Sequence, residues 1–250
     1  ESMPPCDHLL LESTYGNRDH PKDDAGGRLG QIVNETIRRG GSVLIPAFAV
    51  GRTQHLMFLL RALRADGTIP SDVPIFVDSP MAIEANRIVM RHPEAQDAEM
   101  REANANGGDV LGMRDVRFAT TSIESKALND IAYPAIIISA SGMCEGGRIL
   151  HHLAYKLPDH RTTVLFVGFQ AMGTRGRALQ DGREFVRMYG REIPVKARIE
   201  TLDGLSAHAD RGEILSWLQA ASSRPGRVHL VHGEPGARDA LATSIRGRFG

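Results

Sequence analysis

Residues 42–65 read SVLIPAFAVGRTQHLMFLLRALRA, which is a short apolar run, a loop of small residues and then a leucine-rich run. The apolar run Ser42–Ile45 has the length and composition of a buried strand. In the leucine-rich run, apolar residues recur three and four positions apart, which predicts a helix over Thr53–Ala65. The residues that form this apolar stripe are Leu56, Leu59, Leu60 and Leu63. The segment therefore predicts one strand, one loop and one helix, in that order.

The same order of strand and helix recurs along the chain. Further short apolar runs predict strands, and most of them precede a helical pattern. These runs are His8–Leu11, Ile75–Val77, Val116–Thr120, Ala135–Ser139, Thr162–Gly168 and Arg227–Val231. Such alternation is typical of an α/β fold in which a mostly parallel, doubly wound sheet carries helices on both faces. Glu184–Leu202 departs from this order, because two strand-like runs flank Tyr189-Gly190-Arg191 and predict a hairpin.

Two helices outside the regular alternation have their own signals. Asp210 and Glu213 have capping-box spacing, which predicts the start of a helix over Asp210–Ala221. Glu94–Asn106 is polar and rich in alanine, and Gly107-Gly108 follows it. This second stretch predicts a surface helix followed by a loop.

The composition excludes several classes of protein. The 250 residues include 30 Lys+Arg and 30 Asp+Glu, so the net charge is zero and no overall positive field attracts a polyanion. The hydrophobic share of 42% and the charged share of 24% are those of a globular protein. No apolar run approaches the ~18 residues of a membrane span, and Cys6 and Cys144 lack metal-ligand spacing. We therefore expect a soluble, cytoplasmic protein with no membrane partner.

Positive charge is nevertheless concentrated in one segment. Ala171–Arg198 contains seven basic and three acidic residues. Only four of the 30 Lys+Arg residues of the chain are lysines, and arginine binds phosphate with two parallel hydrogen bonds. These counts favour phosphate recognition. A solvated surface and a codon bias towards arginine are the alternatives.

Three strand-to-helix loops have the composition of anion-binding sites. They span Pro46–Gln54, Ile138–Arg148 and Gly168–Arg177, and each is rich in small residues. Main-chain N–H groups at the start of a helix bind anions, so three such loops in one sheet predict a substrate with several phosphates. Glycine turns that only close a connection are the alternative. The candidate substrate-binding residues are Arg52, Ser139, Ser141, Gly142, Met143, Gly173, Thr174 and Arg175.

Three further polar residues stand where predicted strands end or helices begin. Glu12 ends an apolar strand, His208 lies in a loop that enters a helix, and His232 follows a buried strand. A buried carboxylate needs a partner, and a histidine held by a carboxylate is the usual general acid or base. Neutral imidazole is also the commonest metal ligand. A glutamate that caps nearby amides and a structural histidine are the alternatives, but these three positions together favour a functional site, and we expect them to converge on one face.

Three motifs, in this order, carry a resemblance to a known family. They are Glu12-Ser13-Thr14-Tyr15-Gly16, Ser206-Ala207-His208-Ala209-Asp210 and Val231-His232-Gly233-Glu234. They resemble motifs A, B and C of the β-CASP branch of the metallo-β-lactamase superfamily, and the three small-residue loops match that family too. The resemblance is greatest to RNA-processing nucleases related to the endonuclease subunit of the cleavage and polyadenylation specificity factor, and more distant to RNase J. Histidine at motif C, here His232, is typical of members that act on RNA.

The resemblance implies roles for the three residues. Glu12 would orient His208, and His208 would protonate the leaving oxygen at the scissile phosphate. His232 would ligate one of the two zinc ions that the family uses as its cofactor. The other ligands come from an upstream His-x-His-x-Asp-His motif, another histidine and a bridging aspartate, and the ten histidines of this sequence form no such motif. The resemblance therefore implies a zinc-dependent ribonuclease of which this chain, alone, is inactive and does not hold zinc tightly.

The resemblance also implies a domain division and a partner. Residues 1–16 would end the N-terminal half of a metallo-β-lactamase domain, 17–195 would form the β-CASP RNA-specificity domain, and 196–250 would return to the first domain. The implied fold is an α/β β-CASP cap with flanking strands and helices of a truncated αββα domain, and the implied partner is RNA. A non-catalytic RNA-binding module and an unrelated nucleotide-binding domain are the alternatives. The oligomeric state, with a homodimer among the options, is left open.

Overall fold

The chain divides into two compact units. Its structure, a computed structural model, describes residues 3–21, 24–96, 98–105, 109, 111 and 114–250. The small unit comprises Glu1–Lys22 and Ser206–Gly250, and the large unit comprises Asp23–Leu205.

Strands and helices alternate through most of the described chain. The strands are β1 (His8–Glu12), β2 (Val43–Pro46), β3 (Ile75–Asp78), β4 (Val116–Phe118), β5 (Ile136–Ser139), β6 (Thr163–Phe166), β7 (Phe185–Met188), β8 (Arg191–Pro194), β9 (Arg198–Thr201) and β10 (Arg227–Val231). The α-helices are α1 (Ala25–Arg38), α2 (Arg52–Ala65), α3 (Pro80–Arg91), α4 (Ala98–Ala105), α5 (Ser122–Ala127), α6 (Ile149–Lys156), α7 (Arg175–Gln180), α8 (Arg211–Gln219) and α9 (Pro235–Phe249). Short 3₁₀ turns lie at Pro93–Ala95, Leu128–Asp130 and Asp203–Leu205.

A six-stranded sheet forms the centre of the large unit. Its strand order is β4-β3-β5-β2-β6-β9, and all neighbouring strands are parallel. Successive residues of a strand face opposite sides, so Ile45 packs in one apolar cluster with α1 and α2, and Leu44 packs in another with α6 and α7. Helices therefore cover both faces, and the predicted doubly wound α/β fold is confirmed.

The predicted hairpin is present in the large unit. β7 and β8 are antiparallel, and Met188 lies opposite Arg191. Tyr189 and Gly190 alone connect the two strands, with φ of +50° and +73°. A glycine at the second position suits this turn because glycine adopts positive φ without a steric penalty.

Capping side chains set several helix starts. The predicted capping box of α8 is present, because Asp210 accepts the Glu213 N–H at 2.7 Å and Glu213 accepts the Asp210 N–H at 2.9 Å. A second box, formed by Thr121 and Glu124, starts α5. β4 ends before Thr120, earlier than predicted, since Thr120 and Thr121 donate to the Glu124 carboxylate. The predicted helix over Glu94–Asn106 is α4 preceded by a 3₁₀ turn, and 106–108 lie outside the described residues.

The small unit is built on a parallel pair of strands. β1 pairs with β10, and Glu12 lies opposite Val231. Helices α8 and α9 complete the unit. Its buried core consists of Met3, Leu11, Ile214, Leu218 and Leu241.

The division into units differs from the predicted domain limits. β9 pairs with β6, so Arg198–Thr201 belongs to the sheet of the large unit. The limits at 16/17 and 195/196 stay a prediction. Within the described residues, no helix is long and apolar enough to cross a membrane.

Candidate functional site

The parallel pairing of β1 and β10 brings Glu12 and His232 to one edge of the small unit. Glu12 lies opposite Val231, so His232 is the first residue beyond β10 at that edge. There the chain turns, since His232 has φ of +68° and Gly233 donates its N–H to the Ser13 hydroxyl at 3.2 Å. The Ser13 hydroxyl donates to the Val231 carbonyl at 2.8 Å. The two strand ends are therefore tied together where Glu12 and the exposed His232 lie.

The lack of space around Gly233 allows a test of how tightly the ends of β1 and β10 are held together. A Cβ at Gly233 would lie 2.4 Å from the main-chain oxygen of Ser13. We expect Gly233→Ala to push the strand ends apart and lower the free energy of unfolding by about 1–3 kcal/mol. Gly236→Ala is the matched control, because a Cβ there meets nothing within 4 Å. Urea unfolding of both variants checks the prediction, and equal stabilities would contradict it.

Glu12 also contacts His208, which is far away in the sequence. Glu12 Oε1 lies 3.5 Å from His208 Nδ1, while Glu12 Oε2 accepts the Thr14 N–H at 2.8 Å. The Thr14 amide thus fixes one carboxylate oxygen and leaves the other for the imidazole. Because Nδ1 of His208 faces the carboxylate, Nε2 is the nitrogen that remains for a substrate. The His208 side chain is 48% exposed, so a ligand can reach it.

Two residues that sequence reasoning did not select as site residues, His20 and the Tyr15 of motif A, contact the loop around His208. His20 donates from Nε2 to the His208 carbonyl at 2.8 Å, and its main-chain N–H donates to Asp210 at 2.7 Å. The Tyr15 ring lies edge-on to His20 and His208, with centroid distances of 5.3 and 6.0 Å. The sequence held only a weak signal, a lone histidine shortly after motif A.

A cavity of about 570 Å³ lies within the small unit beside these residues. Glu12, His20 and His208 line it. The other lining residues are Leu11, Ser206, Ala207, Ala209, Glu213, Ile214 and Trp217. Half of the lining residues are polar or charged, and the Glu12–His208 contact is part of this wall.

In the large unit, the three small-residue loops pack against one another. They follow β5, β2 and β6, which are adjacent and parallel, so the loops share one edge of the sheet. An added Cβ at Gly142 would lie 3.0 Å from the Phe48 ring. The Gly142 carbonyl accepts a hydrogen bond from Gln170 at 3.0 Å, and the Met143 carbonyl accepts the Gly176 N–H at 3.1 Å. The loops therefore form one continuous surface, named here the three-loop surface.

Several candidate substrate-binding groups on this surface already have partners. Ser139 is buried, and its hydroxyl donates to the Asp78 carbonyl at 3.1 Å, so this hydroxyl is not available to a phosphate. The Ser141 N–H donates to the Gly146 carbonyl at 3.2 Å. Thr174 caps α7 with its side chain.

The other candidates differ in their surroundings. Arg175 forms an ion pair with Glu145 at 3.2 Å and donates from Nε to the Arg187 carbonyl at 2.9 Å. Gly173 has φ of +84° and open space on its Cβ side, and Arg52 is the first residue of α2. Substrate binding by these residues stays a prediction.

Two family models match the chain. A Beta-Casp domain matches residues 53–179, and a Zn-dependent metallo-hydrolase RNA specificity domain matches residues 192–250. The chain belongs to the β-CASP family. The matches confirm the predicted resemblance to the RNA nucleases of the metallo-β-lactamase superfamily.

Named relatives align with nearly the whole β-CASP chain. It is 38% identical over 257 residues to transcription termination factor FttA of Pyrococcus abyssi, covering 99% of the chain and 39% of that relative. It is 37% identical over 238 residues to ribonuclease TTHA0252 of Thermus thermophilus, and the alignment covers 93% of the chain and 53% of that relative. FttA of Methanocaldococcus jannaschii is 33% identical to the chain over 257 residues, and the alignment covers 99% of the chain and 40% of that relative. The chain thus spans about two fifths to one half of the length of these curated relatives.

The zinc ions implied by the β-CASP family do not fit the described residues of this chain alone. Within those residues, His20, Asp210 and Glu213 bring three potential ligand atoms within 4.8 Å of one another. Both Asp210 carboxylate oxygens accept main-chain N–H groups, one Glu213 oxygen accepts the Asp210 N–H, and His20 Nε2 contacts the His208 carbonyl. His232 is not a member of this group. A catalytic zinc takes about three protein ligands, and within the described residues His232 has no such set of partners, so the zinc site that the family assigns to His232 is not complete in them.

The pKa of Asp210 agrees with its capping role. Burial acts to raise this pKa, but hydrogen bonds from the main-chain N–H groups of Glu213 and His20 more than offset burial. The pKa of Asp210 therefore lies below its ordinary value, and the carboxylate is ionised at neutral pH.

The β-CASP chain also contains a buried charged cluster that sequence reasoning missed. Asp78 ends β3 and is fully buried. It accepts hydrogen bonds from Arg148 at 2.7 Å and Ser125 at 2.5 Å, and it contacts His152 Nε2 at 2.7 Å. Burial acts to raise the pKa of Asp78, but the hydrogen bonds from His152, Ser125 and Arg148 lower it below its ordinary value. Since Arg148 ends the loop after β5, the cluster anchors one part of the three-loop surface.

Proposed function

We propose that this chain is the RNA-binding and acid-bearing part of a zinc-dependent ribonuclease that hydrolyses phosphodiester bonds in RNA processing or decay. The observation that carries the proposal is the distance of 3.5 Å between Glu12 Oε1 and His208 Nδ1. We assign the protein to the cytoplasm, because Cys6 and Cys144 are both free thiols, as is usual in a reducing compartment.

The chemistry of the Glu12–His208 pair is proton transfer. The carboxylate orients the imidazole with Nδ1–H towards Glu12. In its doubly protonated form, His208 donates the Nε2 proton to the leaving oxygen as the oxygen of a water molecule bonds to phosphorus and the P–O bond breaks, and the ring is left with Nδ1–H only. We assign zinc binding to His232 together with residues outside this chain, and the steps proposed for this chain are proton donation and RNA binding.

The three-loop surface is the proposed binding site for RNA phosphates. The Ser141 and Gly176 N–H groups are already bonded, and the proposed contacts are the other main-chain N–H groups of these loops, at the carboxyl edge of a parallel sheet, where α/β folds bind their ligands. The basic segment Ala171–Arg198 supplies arginines next to one of the loops. Contacts to phosphates give affinity without reading the bases, so we expect binding to depend little on RNA sequence.

A comparison of this chain with a longer protein that contains it tests the proposed function. We expect the 250-residue chain to bind single-stranded RNA, with an affinity that falls steeply as salt rises, because arginines displace counterions from phosphates. It should hold less than stoichiometric zinc and should not cleave RNA. The longer protein should hold stoichiometric zinc and should cleave RNA. Metal analysis, a cleavage assay with end-labelled RNA and thermal unfolding of both proteins check this.

The outcomes separate the alternatives. Stoichiometric zinc and cleavage by the chain alone would show that our assignment of the zinc ligands is wrong. RNA binding without cleavage by the longer protein would instead favour the non-catalytic RNA-binding module. Absence of RNA binding by both proteins would contradict either function.

A further inference from the structure

An exposed aromatic group lies at the β7–β8 hairpin of the large unit. The rings of His151 and Tyr189 are stacked, with centroids 4.9 Å apart and an angle of 26° between their planes. Tyr189 is 57% exposed, and Tyr155 on α6 is 64% exposed. Because His151 and Tyr155 are four positions apart on one helix, their side chains share a face of α6. The three rings are named here the aromatic platform.

Tyr189 occupies a backbone conformation that disfavours tyrosine. Tyr189 and Gly190 form a two-residue turn with φ of +50° and +73°. Turns with positive φ at both positions prefer Asn-Gly, and a bulky residue at positive φ is an outlier. Outliers of this kind collect at functional sites. The Tyr189 ring is exposed and stacks on His151, so burial in a core does not account for a tyrosine at this position.

The charge around the platform suits a polyanion. The hairpin lies within Ala171–Arg198, which has seven basic and three acidic residues. Arg187 and Arg191, two positions to either side of Tyr189, are exposed. Burial raises the pKa of Tyr189, although the charge of Arg175 opposes this, so the phenol is neutral and does not repel a phosphate.

We propose that the aromatic platform stacks on the bases of single-stranded RNA while the flanking arginines contact its phosphates. Exposed aromatic rings within a positively charged surface hold single strands in this way without reading their sequence. The proposal rests on the proposed RNA-binding function. It adds contacts to the bases, which the main-chain N–H groups of the three-loop surface do not supply.

The variant Tyr189→Asn separates a role in binding from a role in folding. It creates the Asn-Gly pair that this turn prefers, so the midpoint of thermal unfolding should stay equal or rise. Loss of the ring should lower the affinity for RNA on the order of tenfold. Tyr189→Trp should keep the affinity, because its ring also stacks. Tyr133→Ala is the matched control, since Tyr133 is 49% exposed and lies outside the platform.

Two labelled probes distinguish base stacking from phosphate contacts. One is an oligouridine RNA of about 12 nucleotides, within the site sizes of single-strand binders, and the other is an abasic ribose-phosphate strand of equal length. Binding is measured by fluorescence anisotropy. All variants also carry His208→Ala, so that the probe is not cleaved during the measurement. We expect Tyr189→Asn to weaken binding of the oligouridine and to leave binding of the abasic strand unchanged.

The possible results decide between the proposals. Equal affinity of the parent and Tyr189→Asn for the oligouridine would overturn the platform and leave the proposed function standing. If Tyr189→Asn bound RNA as tightly as the parent but self-associated less in sedimentation, the rings would belong to a protein contact. That result would also overturn the role of the platform in RNA binding. A parent protein that binds neither probe would overturn the proposed function, and the platform with it.

Discussion

Replacement of His208 by alanine should slow RNA cleavage about 10²–10⁴-fold, which is the usual contribution of a general acid or base. The imidazole lies beside the Glu12 carboxylate, with Glu12 Oε1 at 3.5 Å from Nδ1, and it is the proposed acid. Without it, no side chain is positioned by Glu12 to protonate the leaving oxygen. RNA affinity should stay the same, because the proposed phosphate contacts lie in the large unit. Single-turnover cleavage and anisotropy, measured on a longer protein that contains this chain, check both expectations.

Glu12→Gln tests the same pair by replacing only the Glu12 carboxylate with a carboxamide of nearly the same shape. The Glu12 carboxylate now accepts the Thr14 N–H with one oxygen and faces His208 with the other. Glutamine has one acceptor oxygen and an NH₂ group, so it cannot make both contacts, and cleavage should again fall while binding is retained. His160→Ala is the control, since His160 is exposed and lies in the large unit. Normal cleavage by both His208→Ala and Glu12→Gln would rule out the assigned acid.

Asp78→Ala should lower the free energy of unfolding of the chain by about 3–5 kcal/mol, the usual effect of removing one partner from a buried ion pair. His152 is fully buried and the Arg148 side chain is 23% exposed, so neither regains full solvation when the carboxylate is lost. The three-loop surface should lose order as well, because Arg148 ends one of its loops. Urea unfolding followed by circular dichroism measures the loss.

An exposed ion pair of the same unit provides the control for Asp78. Glu84 pairs with Arg87 on α3, and their side chains are 63% and 62% exposed. Removal of an exposed partner costs less than about 1 kcal/mol, so Glu84→Ala should unfold close to the parent. If Asp78→Ala and Glu84→Ala were equally stable, the buried cluster would not stabilise the fold.

The pH dependence of the Asp78 effect has a definite sign. The folded state lowers the pKa of Asp78 below its ordinary value of 3.8, so folding favours the ionised carboxylate. This contribution is complete above the ordinary value and is lost as the pH falls through the folded value. The difference in stability between the parent and Asp78→Ala should therefore be constant near neutral pH and shrink below about pH 4.

The sequence by itself determined the local elements and the family of this protein. The apolar spacing in Thr53–Ala65 marks one helix face, and the capping residues Asp210 and Glu213 fix the start of α8. Such signals act over a few residues, so they can be read directly from the chain. Motifs A to C likewise kept their order and spacing, which sufficed to indicate the family and to select Glu12, His208 and His232.

The resemblance implied that Glu12 lies beside His208, but only the tertiary structure gives the geometry of that contact and the other partners of these residues. The parallel register of β1 and β10 and the 3.5 Å contact of Glu12 with His208 join the two ends of the sequence. Asp78 and His152 resemble ordinary polar residues in the sequence, yet they meet in the core. These contacts depend on which strands lie side by side. The apolar periodicity of the sequence indicates only that a side chain faces a core. Burial and strand order determine which residues that side chain contacts there.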